Sequence, residues 1–151
     1  MYRCDWLRDF IRAVLGKQQL FHLADPLGAC SINVFTDGGE HGWHYDESEF
    51  TVTLSLQKPE HGGSFDFIPM LRDSTEEQQQ VQAAIAGRSD SVVELPFTEG
   101  TLMIFGGRQT LHRVSRVSGS TPRLVPVLCY SEQPDVCNSE TVREMFWGRT
   151  G

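Results

Sequence analysis

Several things are missing from this chain, and each absence narrows the reading. No apolar run approaches the roughly 18 residues that a membrane-spanning helix needs. The opening segment MYRCDWLRDF is charged and has no apolar core of the kind a secretory signal carries. Cysteine is sparse: Cys4, Cys30, Cys129 and Cys137 stand far apart, and no pair has the CxxC spacing of a zinc or dithiol redox motif. Cations are outnumbered, with 13 Lys and Arg against 20 Asp and Glu and a formal net charge of −7, so a phosphate backbone is a disfavoured partner. Gly106-Gly107 is followed by no Lys-Ser/Thr pair, which removes a phosphate-binding loop. Internal repeats, low-complexity tracts and long linkers are absent as well. What remains is a soluble, cytoplasmic protein with free thiols.

The 151 residues present have the size of one domain and can bury a core without disulfide staples. CDWLRDFIRAVLG sets Trp6, Leu7, Phe10, Ile11, Val14 and Leu15 on one helical stripe, with Asp5 as the expected N-cap and Gly16 as the stop. FTVTLSLQ alternates cleanly, Phe50, Val52, Leu54 and Leu56 on one face and Thr51, Thr53, Ser55 and Gln57 on the other. CSINVFT and GGSFDFIPM read as further strands. A helix follows, with Ser74 and Glu77 as a capping box and Gly87 as its end. Four β-type runs come next (SVVELPF, TLMIF, LHRVSRV and LVPVLCYS), and SETVREMFWG reads as a short terminal helix. Many short strands with helices at the edges point to a mainly β sandwich or barrel.

Within GEHGWHYDESEF, His44 and Asp46 lie two residues apart, so in extended backbone both side chains point the same way while Tyr45 points away. An isolated HxD is more often a solvated loop than a metal site. A third ligand would have to come from a distant strand, and His112 in QTLHRVSRV is the well-placed candidate. Two histidines and a carboxylate make the facial triad of non-haem Fe(II) oxygenases, which leaves three coordination positions open. Pro122-Arg123 follows through a turn at Ser118-Gly119-Ser120. An antiparallel hairpin there would turn Arg123 toward the same cavity as His112, and a guanidinium fork suits a dicarboxylate.

With those residues in place, the chain resembles the iron(II)/2-oxoglutarate-dependent dioxygenase superfamily. The pattern HxD…H…R stands here as His44, Asp46, His112 and Arg123, and the surrounding GWHYDESEFTVTLSLQ, GGSFDFIP, GTLMIFGGRQTLHRVSRVSGSTPRLVPVLCYS and MFWGRT are similar to small stand-alone bacterial members. The resemblance implies a double-stranded β-helix (jelly roll, cupin-like) with flanking α-helices, spanning 1–151 as a single domain that is short at its N-terminus. It implies Fe(II) on His44, Asp46 and His112, with 2-oxoglutarate as co-substrate held by Arg123. Asn33 stands where relatives place a polar contact to the co-substrate, with a strand-edge amide as the equal alternative. The implied reaction is hydroxylation of an unactivated C–H bond in a small molecule, an amino acid or metabolite, using dioxygen and releasing succinate and CO2. Related halogenases leave the carboxylate position empty for chloride, so Asp46 argues for hydroxylation or desaturation.

Two other readings stay open. One is a cupin-like metal-binding protein without 2-oxoglutarate chemistry, which has no need of Arg123. The other is a non-catalytic jelly-roll module. A homodimer is a reasonable way to cover surface left by a short N-terminus. Of the remaining residues, His41 reads as a surface histidine, Arg116 as a rim residue and Trp43 as a packing residue.

Overall fold

A computed structural model describes residues 1–151. Three helices, α1 (Asp5–Val14), α2 (Glu77–Ile85) and α3 (Glu140–Trp147), flank nine strands: β1 (Phe21–His22), β2 (Cys30–Phe35), β3 (His41–His44), β4 (Phe50–Leu54), β5 (Phe65–Ile68), β6 (Val93–Leu95), β7 (Leu102–Phe105), β8 (Leu111–Val114) and β9 (Arg123–Ser131). The strands form two antiparallel sheets. The first runs β1-β9-β4-β7 with β2 also paired to β9, and the second runs β3-β8-β5-β6. This is the expected double-stranded β-helix. No helix is long and apolar enough to cross a membrane, and all four cysteines are free.

The alternation in β4 decides which face of the first sheet is greasy. Phe50 and Val52 point outward and join Leu128 and Tyr130 of β9 and Leu7 and Ile11 of α1 in the main core cluster. Removing an Ile or Leu side chain from water contributes about 1.5–3 kcal/mol. Thr51 and Thr53 point the other way, into the space between the sheets. The polar face of the strand is therefore the inner face of the protein.

Several expectations need correction. Only Leu7 and Ile11 of α1 are buried; Trp6, Phe10 and Val14 are 71%, 46% and 58% exposed, because the helix rests one edge of its stripe on β4 and β9. Cys4, not Asp5, is the N-cap, and no side chain caps that end. The Ser74–Glu77 capping box does not form: α2 begins after Glu76, and the Glu77 carboxylate accepts the Asp73 N–H at 2.8 Å instead. Strands β1 and β3 have no counterpart in the sequence reading. The hairpin expected between the His112 and Arg123 segments is also absent, since β8 pairs with β3 and β5 while β9 pairs with β1, β2 and β4. The chain between them crosses from one sheet to the other, so His112 and Arg123 approach the cavity from opposite walls.

Candidate metal centre

His44 ends β3 and His112 lies in β8, and the two are register partners whose rings sit 4.1 Å apart. A bulge between His41 and His44 shifts the β3 register just before His44. Asp46 follows in the turn toward β4, with its backbone N–H donating to the Gly107 carbonyl at 3.1 Å. Asp46 Oδ1 lies 3.6 Å from His44 Nε2 and 3.5 Å from His112 Nε2. One ligand atom from each of the three residues falls within 4.8 Å of the others.

The far side of each imidazole fixes what it offers. His44 Nδ1 meets the Gly42 carbonyl at 2.7 Å, and His112 Nδ1 meets the Thr110 carbonyl at 2.8 Å. A carbonyl can only accept, so each Nδ1 donates its proton there, which leaves Nε2 as the nitrogen each ring turns to the common centre. Histidine ligands in metal proteins are held by this backbone contact on the second nitrogen. Burial alone would raise the Asp46 pKa, but contacts with His112, His44 and Thr51 outweigh it and hold the carboxyl well below its usual range. Two imidazole nitrogens and one carboxylate oxygen suit a divalent first-row metal with open positions.

Arg123 sits at the start of β9 and is 3% exposed. Its Nε donates to the Gly63 carbonyl at 3.0 Å, and its guanidinium lies 4.0 Å from the Phe97 ring and 5.3 Å from that of Phe35. Gly63 has φ +69°, and a Cβ there would come within 2.9 Å of Arg123 Cδ, so glycine serves both the turn and the close approach. Arg123 Nη1 is buried with no hydrogen-bond partner. Burial lowers the pKa only to about 10, so the cation persists at neutral pH. A buried, unpaired cation is costly unless an anion meets it. Arg123 shares its cavity with His44, Asp46 and His112, and the walls between them carry Asn33, Thr53, Met103 and Val125.

A second cavity of about 150 Å³ lies on the other side of His44 and Asp46. Asn33, Val127 and Cys129 form one wall, and Val142, Phe146 and Trp147 of α3 form another. The helix is pinned there by Asp25, which is buried and accepts the N–H groups of Leu27, Gly28 and Asn138 at 2.9, 2.6 and 2.9 Å and pairs with Arg143 at 3.3 Å. Gly28 leaves space for this docking, since a Cβ there would meet Trp147 at 2.9 Å. The sequence reading missed this anchor, although DPLG is a recognisable Asx-turn signal.

His41 is half-buried at the site, not on the surface. Its ring lies 3.9 Å from that of His44 and 5.3 Å from that of Phe146. Burial, reinforced by repulsion from His44 and His112, lowers its pKa to about 4, so it is neutral at pH 7. Arg116 is exposed and Trp43 packs under Arg113, as expected.

Solved structures with this fold include a 2OG-Fe(II) oxygenase family oxidoreductase from Burkholderia pseudomallei, 20% identical, with TM-score 0.61 over 85% of this chain and 52% of that one. AviO1 from Streptomyces viridochromogenes Tue57 is 14% identical, with TM-score 0.65 over 88% of this chain and 60% of that one. A prolyl-4-hydroxylase from Pseudomonas putida is 17% identical, with TM-score 0.50 over 82% of this chain and 58% of that one. The chain thus spans between about half and three fifths of the length of these proteins. No curated protein matches it. A family model described as Halogenase D matches residues 1–147, nearly the whole chain. On that match, and with the fold of the 2-oxoglutarate/Fe(II) oxygenase superfamily, this chain belongs to the Halogenase D family.

Proposed function

We propose that the protein is an Fe(II)- and 2-oxoglutarate-dependent oxygenase that hydroxylates an unactivated C–H bond of a small molecule. The observation that carries this reading is the buried Arg123 guanidinium, whose unmet Nη1 shares one cavity with three converging metal-ligand atoms. A metal site without a dicarboxylate co-substrate has no use for a buried cation at that place.

His44, Asp46 and His112 would hold the metal through Nε2, Oδ1 and Nε2. Arg123 would meet the distal carboxylate of 2-oxoglutarate, its charge kept by a pKa still near 10. Asn33 lines both cavities and offers an amide to the co-substrate. Bound Fe(II) and 2-oxoglutarate would supply the oxidising chemistry, consuming dioxygen and releasing succinate and CO2. Val142 and Phe146 give the second cavity an apolar wall that excludes water from the substrate side, and its modest volume suits an amino acid or metabolite.

Halogenation is the second reading, because it is what the family's description names. Asp46 weighs against it: the carboxylate fills a position that a halide ligand would otherwise take, and its negative charge repels one. Anaerobic addition of Fe(II) and then 2-oxoglutarate to the metal-free protein tests the main reading. A visible charge-transfer band that appears only with 2-oxoglutarate supports it, and its absence in folded, metal-binding protein refutes it. Product mass in chloride buffer separates oxygen insertion from chlorination.

A further inference from the structure

The Asp46 carboxylate is held asymmetrically. Oδ1 faces both histidine Nε2 atoms, whereas Oδ2 accepts the Thr51 hydroxyl at 2.5 Å. Ser48 Oγ lies 3.1 Å from Thr51 Oγ1. Thr51 has one hydroxyl proton and commits it to the carboxylate, so Ser48 must donate, and the network runs Ser48 to Thr51 to Asp46. Both hydroxyl residues are buried, at 3% and 2% exposure. Thr51 belongs to β4 in the first sheet, while His44 and His112 stand in the second, so the carboxylate is gripped from the wall opposite the imidazoles.

Gly107 completes the grip. A Cβ there would lie 2.4 Å from Asp46 Oδ2 and 2.6 Å from Thr51 Oγ1. Its φ is not in the left-handed region, so space, not conformation, demands glycine at this position. Its carbonyl also accepts the Asp46 N–H.

We propose that Thr51, backed by Ser48 and given room by Gly107, is a positioning residue that restricts Asp46 to one metal-facing oxygen. The inference rests on the metal role assigned to Asp46 above. A carboxylate freed from Thr51 can turn both oxygens toward the metal and occupy a position that the co-substrate requires. Loss of a partner behind a metal ligand typically costs 10- to 100-fold in metal affinity.

Co(II) titration of the full chain, without 2-oxoglutarate, tests this through affinity and the visible d–d spectrum. Thr51→Val is expected to weaken Co(II) binding by roughly 10- to 100-fold and to change the spectrum, and Thr51→Ser to restore both. Ser48→Ala, which leaves the Asp46 hydrogen bond in place, is expected to show a smaller loss in the same direction and serves if Thr51→Val does not fold. Wild-type binding with an unchanged affinity and spectrum in Thr51→Val, or in Ser48→Ala where it stands in, overturns this inference alone. Wild-type protein that binds no Co(II) overturns the metal reading and this inference with it.

Discussion

His112 and Arg123 face one cavity from opposite sheets, the imidazole on β8 and the guanidinium at the start of β9. One group points at the metal-ligand cluster, and the other keeps an unmet donor. On the proposed function, metal binding and co-substrate binding are therefore separable by mutation. Arg123→Ala is expected to weaken 2-oxoglutarate binding by at least about 2 kcal/mol, roughly thirtyfold, while Fe(II) affinity stays within about twofold. Anaerobic titration of each ligand measures the two effects. Equal loss of both would mean that Arg123 supports the fold of the site and not the co-substrate.

Asp46→Gly removes the only carboxylate of the triad and leaves the histidines in place. The proposed hydroxylation should be lost, as read by succinate release coupled to substrate oxidation. The site also loses one negative charge, so its metal spectrum should respond to added chloride where the wild type does not. Undiminished turnover would remove Asp46 from the ligand set.

His41 sets a pH dependence in the metal-free protein. Its folded pKa of about 4 lies below the ordinary histidine value of about 6.5, so between those values the unfolded chain binds a proton that the folded chain does not. Stability therefore falls as pH drops from about 6.5 toward 4. His41→Gln should flatten that slope while leaving stability at pH 7.5 nearly unchanged. Urea midpoints at pH 7.5 and 5.5 for both proteins give the comparison.

Ile11 is fully buried and Trp6 is 71% exposed, although both belong to one helical stripe. Ile11→Ala is expected to cost about 2–5 kcal/mol through transfer and cavity terms. Trp6→Ala should stay within about 0.5 kcal/mol. Thermal unfolding distinguishes them, and equal effects would mean that α1 is covered on both edges in solution.

The site was more legible in the sequence than the paths that build it. His44, Asp46, His112 and Arg123 are picked out by residue type, spacing and the family resemblance, all of which are read from the sequence alone. The sheet that carries each of them is not local. A turn through Ser118-Gly119-Ser120 reads as a hairpin, yet β9 is longer and more apolar than β8 and finds better partners in β2 and β4. β3 is not legible because its four residues include two histidines and a glycine and lack a strand pattern. The position of His41, at the start of that strand, is hidden for the same reason. Asp25 and Arg143 meet only through the fold, so nothing in their separate neighbourhoods marks them as a pair.

The polarity of β4 carries a consequence for anyone redesigning the protein. Its threonines look like solvent-facing positions, but they line the cavity between the sheets, and of the apolar stripe that continues past the strand it is Leu56 that is exposed, at 49%. A solubility campaign guided by hydropathy would decorate the wrong face. Lysine at 56 reaches water, whereas lysine at 51 or 53 would drive an ammonium into the cavity that holds His44, Asp46 and His112. Along β4 itself neither face is free to change, since Val52 is fully buried under α1 while Thr51 and Thr53 line the cavity.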